Sequence, residues 1–306
     1  MENIITVATQ VSILFVLMAV GFTAAKKKIL NDASIKGLVD ILLLIVTPCI
    51  IIDVFQRPYD PSKLNSLCIA FGICILAHLL AICISLIFIR HRKEKTRVVL
   101  NTATVFSNAG FMGIPLEQAI LGDEGVFFGI IYVVVFNLFI WSWGLWIMGG
   151  KPNIRQMLVN PGTIGLFVGL PLFFLSIKLP EIVSKPIHML SQLNTPVPMI
   201  IIGYYLASAN FSSVLKTPAA WLSISIRLFF FPLLLIALIL PFRNVLDRTM
   251  MLAIITAASA PVAAMISMFA AKYNRDIDIS VSIVSSSTLL SILTIPIVIA
   301  IAMKLL

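Results

Sequence analysis

The sequence predicts an all-α polytopic membrane protein of ten transmembrane helices, laid out as two inverted five-helix repeats. Three observations lead there. The chain of 306 residues is 60% hydrophobic and only 11% charged, with a mean hydropathy of +1.07, whereas water-soluble domains carry about 25% charged residues. The apolar residues fall into runs of about 20, the length that crosses a bilayer. The fourth and ninth runs are interrupted by glycine and proline at corresponding positions of the two halves.

Applied along the chain, the length rule places spans at roughly 4–25, 34–56, 63–89, 95–121, 124–149, 161–178, 186–208, 217–240, 246–272 and 278–304. The breaks between them carry turn chemistry: "QRPYDPSK", "GGKPN", "KLPEIVSKP", "LKTP" and "PFRN". The first run has no basic segment before it, and Lys26, Lys27 and Lys28 follow it; a cleaved signal has the opposite polarity, so this run reads as a retained helix. Of the 22 Lys and Arg, 14 fall on the side reached after span 1, seven on the other and Arg227 within a span. The positive-inside rule then puts both termini outside the cytoplasm, in the cell membrane.

The net charge of +9 resides in short loops, which is a topology signal and not a nucleic-acid footprint. Connections of about a dozen residues at most leave no soluble domain for a receptor, a nucleotide-driven pump or a tethered enzyme. Cys49, Cys68, Cys74 and Cys83 lie in apolar runs without metal spacing and read as reduced packing residues. No HExxH, GxSxG, GxGxxG or P-loop pattern occurs, so neither an enzyme, a cofactor nor a bound metal is expected.

The halves divide at "GGKPNIRQMLVNPG" into residues 1–150 (spans 1–5) and 151–306 (spans 6–10). Because five is odd, the second half enters the membrane from the opposite side. Thr47-Pro48 in span 2 and Thr195-Pro196 in span 7 each precede an isoleucine run. Aligning Arg97 with Arg248, a shift of 151 residues, sets "RVVLNTATVFSNAGFMGIPL" over "RTMMLAIITAASAPVAAMIS", with Asn108 on Ser259 and Gly110 on Pro261. Pro115 and Pro261 each lack an N–H and crowd the carbonyls of Phe111 and Ala257. Backbone groups freed at mid-depth must be buried in protein or line a wet cavity. Two such breaks at one depth predict discontinuous helices meeting at a substrate cavity. A half-helix beginning near Met112 would turn its N–H groups toward an anion.

"FSNAGFMGIPL" and "ASAPVAAMISMFAAKYNRD" in a chain of ten spans resemble the auxin efflux carrier family, whose bacterial members are linked to malate, malonate and other small organic acids and whose plant members include PIN-type auxin carriers. The resemblance implies a bile-acid-symporter-like fold, crossing helices 4 and 9, and elevator-type alternating access. It also implies that the crossover amide, here Asn108, contacts the substrate carboxylate.

Further polar groups join the candidate site. Asn101, Thr104 and Asn108 share one helix face, as a polar track or as interhelical glue. Ser107 and Ser259 adjoin the breaks. Arg227, deep in span 8, suits either a carboxylate or a structural ion pair. His78 and Asp53 are candidate coupling groups. The substrate-binding set is therefore Asn108, Ser107, Gly110, Pro115, Ser259, Pro261, Asn101 and Arg227. The expected function is secondary transport of a small organic anion. The alternatives are a sodium- or proton-coupled symporter of a related family with a different substrate, or an anion channel. Partners are the anion, the lipid bilayer, Na+ or H+ as coupling ion and a second copy in a homodimer, with no nucleic acid.

Overall fold

A computed structural model describes residues 2–306 except 153, 156–158, 160 and 209–210, and leaves the side chains of 2–7 and 212 undescribed. Part of the expected linker between the halves thus lies outside the described residues. In chain order the helices are α1 (Glu2–Lys26), α2 (Asp32–Phe55), α3 (Pro61–Phe88), α4 (Glu94–Val105), α5 (Ala109–Ile147), α6 (Pro161–Phe174), α7 (Glu181–Ser191), α8 (Pro196–Ala207), α9 (Ser212–Leu215), α10 (Pro218–Phe242), α11 (Arg248–Ser259), α12 (Met265–Lys272) and α13 (Ile277–Leu305). Among the described residues six helices are long and apolar enough to cross a membrane: α1 from Ala8 onward, α2, α3, α5, α10 and α13.

Helix starts are written in the loops. Asn31 and Ser34 form a capping box, each side chain taking the other's backbone N–H at 2.9 Å. Asp60 caps α3 through Ser62 N–H, Asp247 caps α11 through Met250 N–H, and Asp276 caps α13 through Ile279 N–H.

Pro48, Pro115 and Pro232, inside apolar runs, do not end their helices. Wide π-turns at Leu42–Val46, Ala109–Gly113 and Ile226–Phe230 run up to Pro48, Pro115 and Pro232. The wider turn accommodates a ring that lacks an N–H and would otherwise strike the carbonyl one turn back. This corrects the expectation that Pro115 opens the backbone: it lies within α5, fully inside a helix. Spans 4 and 5 divide where expected, between residues 121 and 124, although one continuous helix carries both sides of the boundary. Their boundary is Gly122, whose φ of +66° and ψ of −161° split α5 into limbs 109–121 and 123–147; only glycine adopts that conformation without strain.

Helix pairing is reciprocal between the halves. α1 packs along α8, and α2 along α6, pairing predicted spans 1 with 7 and 2 with 6. Both contacts use small residues that let backbones meet. A Cβ on Gly21 would lie 2.1 Å from Ile200 O, and one on Gly203 2.0 Å from Met18 O. Gly165 and Gly169 likewise abut Pro48, Ile51 and Phe55. One large apolar cluster runs through α2 to α6 and α9 to α13. At one end of the bundle Arg57 pairs with Glu124 at 2.9 Å, and Lys63 pairs with Glu124 and, at 3.7 Å, with Asp247. At the other end Arg275 joins Glu94 and Met148 O.

Candidate substrate site at the crossover

The break predicted in spans 4 and 9 is present and has a defined form. α4 ends at Val105 and α11 at Ser259; Phe106 (φ −99°, ψ 109°) and Ala260 (φ −62°, ψ 149°) then turn the backbone extended. The two extended segments pair antiparallel, with Ser107 opposite Val262. Asn108 N–H donates to Pro261 O at 2.6 Å and Ala263 N–H to Phe106 O at 3.0 Å. Val262 N–H donates to Ser287 Oγ at 3.1 Å. Freed backbone groups are thereby satisfied within the protein, as a hydrocarbon setting requires.

The helix bounds correct the alignment: α4 runs from Glu94 to Val105 and α11 from Arg248 to Ser259, a shift of 154 residues and not 151, so Asn108 corresponds to Val262 and not to Ser259. Arg97 and Arg248 misled the alignment because α4 begins three residues before Arg97 while α11 begins on Arg248. The half-helix also starts at Ala109, not near Met112.

A cavity of about 260 Å³ lies against the crossover. It is bordered by the N-terminal ends of both half-helices, Asn108, Gly110 and Phe111 on one side and Ala263, Ala264 and Met265 on the other. The first acceptor in α5 is Asn108 O, which takes the N–H groups of Met112 and Gly113 at 3.0 and 3.1 Å. The N–H groups of Ala109, Gly110 and Phe111 precede it and have no helical acceptor. Two helix N-termini thus converge on one space, each worth about half a positive charge. Thr47, Ser107, Asn137 and Asn194 add polar groups, and Leu43, Phe136 and Trp141 apolar walls. Asn108 is 7% exposed; among the described residues nothing accepts from or donates to its side-chain amide. Asn194 Nδ2 is buried and has no partner among the described residues.

Of the predicted set, the cavity brings together Ser107, Asn108 and Gly110. Pro261 contributes its carbonyl to the bridge. Pro115, Ser259, Asn101 and Arg227 lie off the cavity wall. Ser259 is fully buried, its hydroxyl on Ile255 O at 2.6 Å. Asn101 borders a separate open depression with Arg90, His91, Arg92 and Arg97. Thr104 bonds Ser223 across helices at 2.7 Å, which resolves the expected polar track into glue at that position. Arg227 is fully buried and directed at backbone carbonyls of Thr104, Val105 and Ala258.

The coupling candidates are also placed apart from the cavity. His78 is caged by Phe139, Tyr132 and Phe106, with Nδ1 on Cys74 O at 2.8 Å. Asp53 accepts from Ser191 and pairs with His188, each at 2.8 Å. Sequence reasoning missed Thr47, Asn137 and Trp141 at the wall, although the Thr47-Pro48 repeat marked the neighbourhood. It also missed Glu117, whose fully buried carboxyl rests against Gly129 with neither oxygen hydrogen-bonded among the described residues; a carboxylate inside an apolar run was the available signal.

Residues 6–157 and 150–299 match the family described as membrane transport protein. The chain is 26% identical over 292 residues to an uncharacterized transporter of Methanothermobacter thermautotrophicus, covering 92% of this chain and 93% of that one.

Proposed function

Because the chain belongs to the membrane transport protein family, the auxin efflux carrier family of the sequence reading, we propose that it is a secondary transporter for small organic anions, bound at the crossover. The observation that carries this is the convergence of two half-helix N-termini and the unpaired Asn108 amide on one cavity. Two ends of about half a charge each balance one carboxylate. Among the described residues no basic side chain lines the cavity to balance a second. The apolar walls suit a monocarboxylate with an apolar body better than malate or malonate, and at ~30 Å³ per water the space equals roughly eight or nine waters.

Movement by alternating access fits ten spans in two inverted repeats. Spans 1, 2, 6 and 7 would form a scaffold, on the support of the reciprocal α1–α8 and α2–α6 pairing, and the remaining helices a moving body. The loop charges support both termini outside the cytoplasm.

The test is Asn108→Ala in purified, reconstituted protein, with benzoate, phenylacetate and malonate as probes. A ligand that binds the folded state raises its melting temperature. Losing a hydrogen bond to a charged group, about 1.5–3 kcal/mol, is expected to weaken acid binding roughly 10- to 150-fold while the unliganded protein melts as wild type. Unchanged binding and uptake would remove Asn108 from the site.

A further inference from the structure

Arg227 is a fully buried cation, and among the described residues no carboxylate pairs with it. Nη1 donates to Val105 O at 2.9 Å and to Thr104 O at 3.3 Å, and Nη2 donates to Ala258 O. The guanidinium carbon stands 4.9 Å from the centre of the Phe231 ring. Those carbonyls belong to the last turns of α4 and α11, the two helices that stop at the crossover. Each helix C-terminus carries about half a negative charge, so the two ends together present about one. One guanidinium balances it. A lone charge buried in hydrocarbon would be prohibitively costly without such partners.

In transporters with discontinuous helices, carbonyls at half-helix C-termini are the groups that coordinate a coupling sodium ion. We propose that the paired C-termini of α4 and α11 form a cation site whose resident occupant is the Arg227 guanidinium, and that the protein therefore works without sodium. A tethered cation cannot dissociate with the substrate, so this site holds a fixed charge in place of a transported one. It also cancels the negative ends on the far side of the crossover, leaving the positive ends to face the cavity. The consequence for transport rests on the carrier reading above; occupancy of the cation site does not.

The experiment is the thermal melting of the purified full-length chain, followed by tryptophan fluorescence, in sodium chloride against choline chloride at equal ionic strength. Wild type is expected to melt at one temperature in both, and a saturable rise with sodium overturns the proposal. Arg227→Ala empties the site. It is expected to melt lower in choline and to regain stability with millimolar guanidinium or sodium, neither of which raises wild type; no recovery with either cation overturns the proposal. Arg227→Lys keeps a cation in place and guards against a variant that does not fold. It is expected to stay indifferent to sodium, and a sodium response there, as in the emptied site, counts against the idea. In liposomes loaded to take up benzoate or phenylacetate, the sodium-to-choline rate ratio is expected to be one. Absence of uptake or binding of any acid refutes the carrier reading alone and leaves the melting results to judge the cation site.

Discussion

Gly203→Ala adds one methyl group at the closest backbone contact between α1 and α8. The new Cβ would stand 2.0 Å from Met18 O, 2.8 Å from Met18 C and 2.8 Å from Phe22 N, where ordinary contact begins at 3.4 Å. All three atoms are backbone, so no side-chain rotation relieves the clash, and the helices must separate by more than an ångström. A gap of about 0.5–1 Å already forfeits a quarter to a half of each dispersion contact. Val11, Leu14, Met18, Met199 and Ile202 are the buried residues that would lose them. Overpacking costs about 1–3 kcal/mol, and the immovable neighbours put this site toward the upper part of that range. At roughly 2–4 °C per kcal/mol, the melting temperature should fall by several degrees. The matched control is Gly72→Ala in α3, where a Cβ meets nothing within 4 Å; there the usual helix-interior gain of about 0.5–1 kcal/mol is expected. Thermal unfolding of both variants beside wild type gives opposite signs. Gly203→Ala melting at or above wild type would refute the close-contact argument.

Three further outcomes follow from particular bonds. Asp276→Ala removes the cap of α13 and the 2.6 Å partner of the Thr96 hydroxyl, so a loss of about 1–2 kcal/mol is expected in equilibrium unfolding. The Asp60 carboxyl is held below the usual aspartate range, first by the Ser62 hydroxyl and then by its N–H. Its contribution is therefore complete above the ordinary aspartate value and disappears as the pH falls through the lowered one. Asp60→Asn should flatten that acid limb in melting curves taken against pH. Glu117→Gln preserves shape at a site where neither carboxyl oxygen has a partner and should melt within about 0.5 kcal/mol of wild type, while Glu117→Lys, a buried unpaired cation, should fail to accumulate folded.

How much was legible in the chain depended on the range over which each feature is encoded. The apolar runs and Asx-capped starts are local, and α3 and α13 fall within a few residues of expectation. The location of the crossover was also local: "FSNAG" and "ASAPV" contain the extended residues. Its register was not, because Ser107 opposite Val262 is a pairing between distant segments. Pro115 was read as a break since a proline's cost in an α-helix is a local rule, whereas the π-turn that absorbs it depends on packing. Arg227 was visible as a buried charge, but no spacing rule says that its partners are carbonyls of two other helices. Thr47 and Trp141 reach the cavity only because α2 and α5 are brought against it.

The antiparallel bridge also fixes an order of assembly. Asn108 N–H and Phe106 O are offered to partners, Pro261 and Ala263, that lie about half the chain later. At ~5–20 residues per second of synthesis, the first segment waits about 8–30 s for the second to be made. During that interval α4 and the first limb of α5 exist without the strand that joins them. The cavity consequently cannot acquire its shape before the second half is made, and a first half made alone has the amide but not the pocket.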